Sequence, residues 1–228
     1  MSPRLDRQID DVAVAKPSSM SFDAAFRAQL RDLLLWRRDV RRFRSDLLPD
    51  GTLEALIELA CLAPSVGLSQ PWRFVIVADR AVRRAVRNNF EACNAQALAA
   101  QVPHRAGLYA RLKLAGLDEA PVHFAVFADR ATPQGHGLGR RTMPEMIEYS
   151  AVMAVHTMWL AARAQGIGLG WISILDPTEM AAILSVPVEW KFIGYFCLGY
   201  PQTDDTVPDL EQAGWEQRRV AASMIIHR

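Results

Sequence analysis

The chain has 228 residues, half of them hydrophobic, and 26 basic against 25 acidic side chains for a formal net charge of +1. That length and composition suit a folded chain with a full core, organised as one domain with extensions. The near-neutral balance excludes the basic surface of a nucleic-acid module or a polybasic membrane binder.

Cys61, Cys93 and Cys197 are odd in number and widely spaced, with no C-x-x-C, so neither a disulfide framework nor a zinc ribbon is expected. The start of the chain lacks an apolar leader pattern, and no stretch approaches the ~20 apolar residues of a membrane span. The expectation is a soluble, cytoplasmic protein with neither nucleic acid nor membrane as partner.

Residues 1–20 are polar and mixed, with Pro3, Pro17 and two serines, and read as a flexible N-terminal arm; residues 21–228 read as a single domain with a C-terminal extension. From Ser21, a plausible N-cap, the residues Phe22, Phe26, Leu30, Leu33 and Leu34 recur at helical spacing. That helix delivers the chain into Trp36-Arg-Arg-Asp-Val-Arg-Arg-Phe43, four arginines around one carboxylate, framed by apolar residues. Cations just past a helix C-terminus also compensate its dipole, which is the plain reading of Arg37 and Arg38.

Pro49 to Thr52 reads as a turn opening a helix with Leu53, Leu56, Ile57, Ala60 and Cys61 on one face. It stops before Pro64. Ala63-Pro-Ser-Val-Gly-Leu-Ser-Gln-Pro-Trp72 is then a stiffened loop in which Ser65, Ser69 and Gln70 offer hydrogen bonds and Gly67 permits unusual angles. Phe74 to Val77 is a buried strand candidate, 80–101 a helix, 103–118 a weakly periodic excursion that is either packing or a cover over a site, and 122–128 a strand.

The Gly-rich loop of 130–144 lacks both a P-loop Lys-Ser/Thr and a true G-x-G-x-x-G. The helix of 145–165 is apolar almost all round, which suits a core or an oligomer interface, and His156 within it reads as a core histidine. Gly166 ends it as a C′ residue. Gly166 to Ile174 forms a strand whose glycines let something flat approach the backbone. A short helix from Asp176 and Pro177, an aromatic strand 190–200 and a long tail with Gly214-Trp-Glu-Gln-Arg-Arg219 complete the chain. Mostly strand–helix–strand connections with four strands at best give an α/β or α+β layered domain.

The five histidines, at 104, 123, 136, 156 and 227, show no ligand spacing, so no metal is expected. There is no G-x-S-x-G and no nicotinamide-binding fingerprint. What remains is an arginine cluster for a phosphate, a loop of hydroxyl and amide groups for a polar chain, and a glycine-lined strand for a planar ring. That inventory fits FMN.

Arg37-Arg-Asp-Val-Arg-Arg-Phe43 resembles the Arg-x-Ser-x-Arg-x-Phe signature of the FMN-binding nitroreductase superfamily, and Ala63-Pro-Ser through Gln70-Pro-Trp72 is similar to its second flavin loop. Aspartate stands at 39 where serine is usual. Together with Leu112-Lys-Leu-x-Gly116, Leu138-Gly-Arg140, Met146 to Ser150, Trp159 to Ala164 and Gly170-Trp-Ile-Ser-Ile174, it resembles the branch of that superfamily that consumes its flavin.

The resemblance implies an α+β, nitroreductase-like, three-layer fold with a central mixed sheet, and a homodimer with flavin at its interface and a tail wrapping the partner. It implies O2-dependent fragmentation of reduced FMN, as substrate, to 5,6-dimethylbenzimidazole (the lower ligand of vitamin B12) and erythrose 4-phosphate, with a separate flavin reductase as supplier. It implies flavin contacts from Arg37, Arg38, Asp39, Val40, Arg41, Pro64, Ser65, Gly67, Ser69, Gln70, Gly170, Trp171, Ser173 and Arg218, with Asp39 and Ser173 catalytic. The alternatives are an NAD(P)H-dependent nitro- or quinone reductase that keeps its FMN, and a flavin-binding module without turnover. On the residues alone, Asp39 is also an ion-pair partner for Arg41 or Arg42, and Ser173 a strand-end hydroxyl.

Overall fold

A computed structural model describes residues 21–112 and 116–228; the proposed arm of residues 1–20 lies outside the described residues. Helices α1 (Ala24–Trp36), α2 (Thr52–Ala60), α3 (Arg80–Ala99), α4 (Pro103–Arg111), α5 (Gly116–Glu119), α6 (Met146–Ala164), α7 (Pro177–Ile183) and α8 (Asp209–Gln212) surround strands β1 (Trp72–Ile76), β2 (Val122–Asp129), β3 (Gly168–Ile172) and β4 (Trp190–Gly199). The sheet order is β1-β2-β4-β3 with every neighbouring pair antiparallel. Among the described residues the sheet is thus antiparallel where the resemblance implies a mixed one; the one parallel contact is an isolated bridge between Asp39 and Leu169 along the outer side of β3.

Alternation along the strands sends residues to two faces. Phe124, Val126, Phe196, Leu198 and Leu169 face α2 and α6, while Ala125, Phe127, Tyr195, Cys197 and Ile172 face the side where Val86 of α3, Leu117 of α5 and Met180 of α7 are buried. The result is helix, sheet and helix in three layers, as the strand–helix pattern suggests.

Local chemistry sets the boundaries. Asp176 caps α7 by accepting from the N–H groups of Thr178 and Glu179 (2.8 and 2.9 Å). Gly166, at φ 72°, ends α6 in a Schellman turn: its N–H donates to Arg163 and that of Ile167 to Ala162.

Several sequence expectations need correction. Asp23, not Ser21, caps α1, accepting from the Phe26 N–H at 2.7 Å; the carboxylate is the stronger acceptor and sits three residues before that donor. The first strand starts at Trp72 rather than Phe74, because Trp72 and Arg73 pair with Ala128 and Phe127 despite the preceding proline. His156 is exposed, on the open face of α6 beside Met153. The core histidine is His123, 1% exposed, whose Nε2–H donates to the Ala120 carbonyl (3.1 Å) and whose Nδ1 accepts from the Tyr195 hydroxyl (3.0 Å). The apolar stripe of α1 forms the helix its spacing suggests and is open in the single chain: Phe26 is 41% and Leu34 46% exposed. Among the described residues no helix is long and apolar enough to cross a membrane.

Candidate functional site

The chain leaves α1 and docks on the free edge of β3. The Val40 N–H donates to the Leu169 carbonyl (3.1 Å), and Asp39 Oδ1 accepts from the Trp171 N–H (2.8 Å). The docking depends on two glycines. A Cβ on Gly170 would stand 2.2 Å from the Val40 carbonyl oxygen, and one on Gly168 would stand 2.7 Å from the Val40 side chain. The flat object that those glycines admit on their Cβ side is therefore the chain's own Asp39–Arg41 segment, which corrects the expectation that they leave this space to a ring. Trp171 lies over Gly194 in the same manner.

Asp39 is half-buried, and burial pushes its carboxyl above the usual range. The Trp171 N–H and the Arg41 guanidinium, 3.9 Å away, oppose the rise, while Asp209 of the tail adds to it. The ion pair is long, and Arg42 is not a partner: it turns away to Glu119 (2.8 Å). A carboxylate held through one oxygen, with a raised affinity for protons, is suited to exchange them. A narrow pocket lined by Asp39, Arg41, Gly116, Gly170, Trp171 and Cys197 lies beside it.

Arg37 and Arg38 are neighbours in one cluster, and the charge of Arg218 acts on both. Arg37 lies over the Trp159 ring at 4.9 Å, and Trp159 Nε1–H donates to the Arg38 carbonyl at 2.9 Å, so one indole positions both residues. Arg38 Nη1–H reaches the Arg37 carbonyl (2.9 Å), but its Nε and Nη2 are buried with no partner among the described residues. Burial holds both guanidiniums below their ordinary pKa, and the charge of Arg218 pushes both further down. Unpaired buried donors beside like charges are costly; a phosphate would satisfy both and match the guanidinium fork. The donor set fits the phosphate end of FMN.

Ser173 follows β3, exposed, two residues or about 6.6 Å beyond the N–H that Asp39 holds. It makes no hydrogen bond among the described residues, so the strand-end reading of a backbone-bound hydroxyl does not hold.

The second candidate loop lies elsewhere. Pro64 is exposed, Ser65 Oγ accepts from the Gln70 N–H (3.1 Å), Ser69 is buried with an unpartnered hydroxyl, and the Gln70 amide accepts from Gln134 (3.2 Å). Gly67, at φ 56°, meets Gly135 and Leu138 of the 130–144 loop, while Leu68 and Gln70 hold positive φ without being glycine. This loop enters β1, at the opposite sheet edge from β3. Helix α6 touches both halves: Ser150 Oγ accepts from the Val66 N–H (3.0 Å), and Trp159 holds Arg38. Those positions are about 14 Å apart along the helix. One chain therefore does not bring Pro64–Gln70 onto Arg37–Arg41. Between them α6 presents Tyr149, Val152, Met153 and His156, all exposed.

Sequence reasoning assigned no task to Trp159 or to the tail acids. Asp205 and Glu211 lie near Arg38, Asp209 near Asp39, and Glu211 pairs with Arg218 at 3.9 Å. The tail that the resemblance would wrap around a partner thus crosses this chain's own arginine cluster. Trp159 stood in a quoted motif; the acids carried no local signal.

The model of the nitroreductase family matches residues 34–200, and the chain belongs to that family. Over 198 residues it is 55% identical to the 5,6-dimethylbenzimidazole synthase of Rhodospirillum rubrum, an alignment spanning 87% of this chain and 94% of that protein. It is 43% identical to a protein of the same name from Rhodobacter capsulatus, over 87% of this chain and 96% of that one. Among solved structures it is similar to oxidized iodotyrosine deiodinase bound to FMN and 3-iodo-L-tyrosine, with a TM-score of 0.65 and 26% identity over 77% of this chain and 91% of that one.

Proposed function

We propose that this chain makes 5,6-dimethylbenzimidazole, the lower ligand of vitamin B12, from reduced FMN in an O2-dependent fragmentation whose other product is erythrose 4-phosphate. The observation that carries it is the 55% identity to a 5,6-dimethylbenzimidazole synthase across nearly the whole of both chains, with an aspartate at the head of an anion-binding arginine cluster. FMN, as substrate, supplies the ring and the reducing electrons.

The chain's own residues supply the rest. Arg37, Arg38 and Arg218 bind the phosphate. The Trp171 N–H and Arg41 orient Asp39, which takes and returns a proton near the ribityl chain. Ser173 offers its hydroxyl further along the same edge, and Val40 and Gly170 shape the wall.

The active unit is a homodimer. Two half-sites at opposite sheet edges, with exposed apolar faces of α1 and α6 between them, suit a second copy that brings Pro64, Ser65, Gly67, Ser69 and Gln70 of one chain to the arginines of the other. A separate flavin reductase supplies reduced FMN, since the sequence carries no nicotinamide fingerprint. The setting is the cytoplasm.

The test is chromatography of the products after chemically reduced FMN is mixed with the protein in air. Dimethylbenzimidazole is expected. Intact oxidised FMN as the sole flavin product, together with nicotinamide-driven reduction of a nitroaromatic, would overturn the reading in favour of a flavin-retaining reductase.

A further inference from the structure

Gly214 and Trp215 lie outside the candidate site but connect the tail to α4. Gly214, at φ 73°, ends α8 in a Schellman turn: its N–H donates to Glu211 (3.0 Å) and the Trp215 N–H to Leu210 (2.8 Å). The turn aims the indole at α4. Arg105 lies 5.2 Å from the centroid of the Trp215 ring, and the Tyr109 ring is 6.2 Å away. The Tyr109 hydroxyl donates to Asn94 Oδ1 of α3 at 2.9 Å, so α4 is tied at both sides. Arg218 stands three residues further on, no more than about 11 Å of chain from Trp215, and joins Arg37 and Arg38.

We propose that Trp215 is a positioning residue that links the phosphate-binding arginines to α4, so that a phosphate on Arg37, Arg38 and Arg218 fixes the tail and the tail fixes α4. This rests on the phosphate reading of those arginines but not on the fate of the ring. An anion at Arg218 removes its repulsion from Arg37 and Arg38 and so holds residues 215–218 in place, and with them the indole that already packs on Arg105 and Tyr109. A ligand with the same ring and no phosphate lacks that effect.

Hydrogen exchange at residues 103–111 tests the link, with oxidised FMN and riboflavin as the probes. In the unaltered protein, FMN slows exchange there about threefold or more, and riboflavin leaves it unchanged. In Trp215→Ala the FMN protection disappears while FMN affinity changes by less than about threefold; Trp215→Phe restores most of it. Arg105→Gln, an exposed change that spares the core, loses part of it and serves if the alanine variant fails to fold. Equal protection by riboflavin, or full FMN protection in both Trp215→Ala and Arg105→Gln, overturns the proposal. A wild-type protein that protects α4 with FMN yet yields no benzimidazole would count against the reaction and leave the link standing.

Discussion

Gly170→Ala tests whether Asp39 is held by backbone docking rather than by its ion pair. The new Cβ would stand 2.2 Å from the Val40 carbonyl oxygen, so the Asp39–Arg41 segment must retreat by about 1 Å or more to regain ordinary contact. The retreat strains the Val40–Leu169 hydrogen bond (3.1 Å) and the Asp39–Trp171 bond (2.8 Å). The first is worth about 1 kcal/mol and the second, accepted by a carboxylate, about 1.5–3. Loss of both would cost about 2.5–4 kcal/mol, so partial loss predicts a destabilisation of about 1–3 kcal/mol, the range for overpacked sites. A reacting carboxylate misplaced by that distance loses about a hundredfold in rate. The assays are urea unfolding, read as a midpoint shift at constant slope, and dimethylbenzimidazole formation from reduced FMN. Gly107→Ala is the control: nothing lies within 4 Å of its added Cβ, it sits inside α4, and it should be neutral or stabilising by up to about 1 kcal/mol. A Gly170→Ala protein within about 0.5 kcal/mol of wild type and fully active would refute the docking argument.

Three further outcomes follow. Arg38→Met removes two unpartnered buried donors and a like charge, so without ligand it should be as stable as wild type or more so, while FMN binding weakens tenfold or more (about 1.5 kcal/mol or above) and riboflavin binding is unchanged; calorimetric titration of both flavins checks it. Asp39→Asn keeps an acceptor for the Trp171 N–H. Since the folded-state carboxyl is raised, its ionised form weakens the fold increasingly as pH climbs from the ordinary carboxylate range of the unfolded chain through the folded pKa; the variant should therefore match or exceed wild-type stability at neutral pH by denaturant titration, bind FMN, and form no benzimidazole. His123 shows the opposite pH dependence: burial lowers it to about 4 from 6.5, so the unfolded chain takes the proton first, and stability should fall by about 3 kcal/mol as pH drops from 6.5 to 4. His123→Gln should flatten that slope in denaturant titrations at stepped pH.

The sequence made legible what local periodicity controls. The stripe Leu53, Leu56 and Ala60 and the apolar side of α6 lie where their spacing puts them, since each packs against the sheet, and the aromatic-rich run of 190–200 is a strand within it. Buriedness of single polar residues was not legible. His123 and His156 both sit among apolar neighbours in sequence, but only strand pairing puts His123 between Tyr195 and Ala120. The stripe of α1 is legible as an apolar helical face, yet none of its residues is buried in the single chain, because periodicity reports an apolar face and not what covers it. The site was legible as a list. Arg37, Arg38 and Asp39 cluster, and Arg218 joins them from 180 residues away. The list could not show that Ser65 to Gln70 enters the opposite sheet edge, a property of strand order, nor that Val40 occupies the space above Gly168 and Gly170.

The central claim is that the flavin is consumed. The most direct measurement is stoichiometric: anaerobically reduced FMN is bound to excess protein, air is admitted, and flavin lost is counted against dimethylbenzimidazole gained. The account predicts one benzimidazole for each FMN that disappears, with no recovery of flavin absorbance from that fraction. Full return of oxidised FMN with no benzimidazole would contradict it.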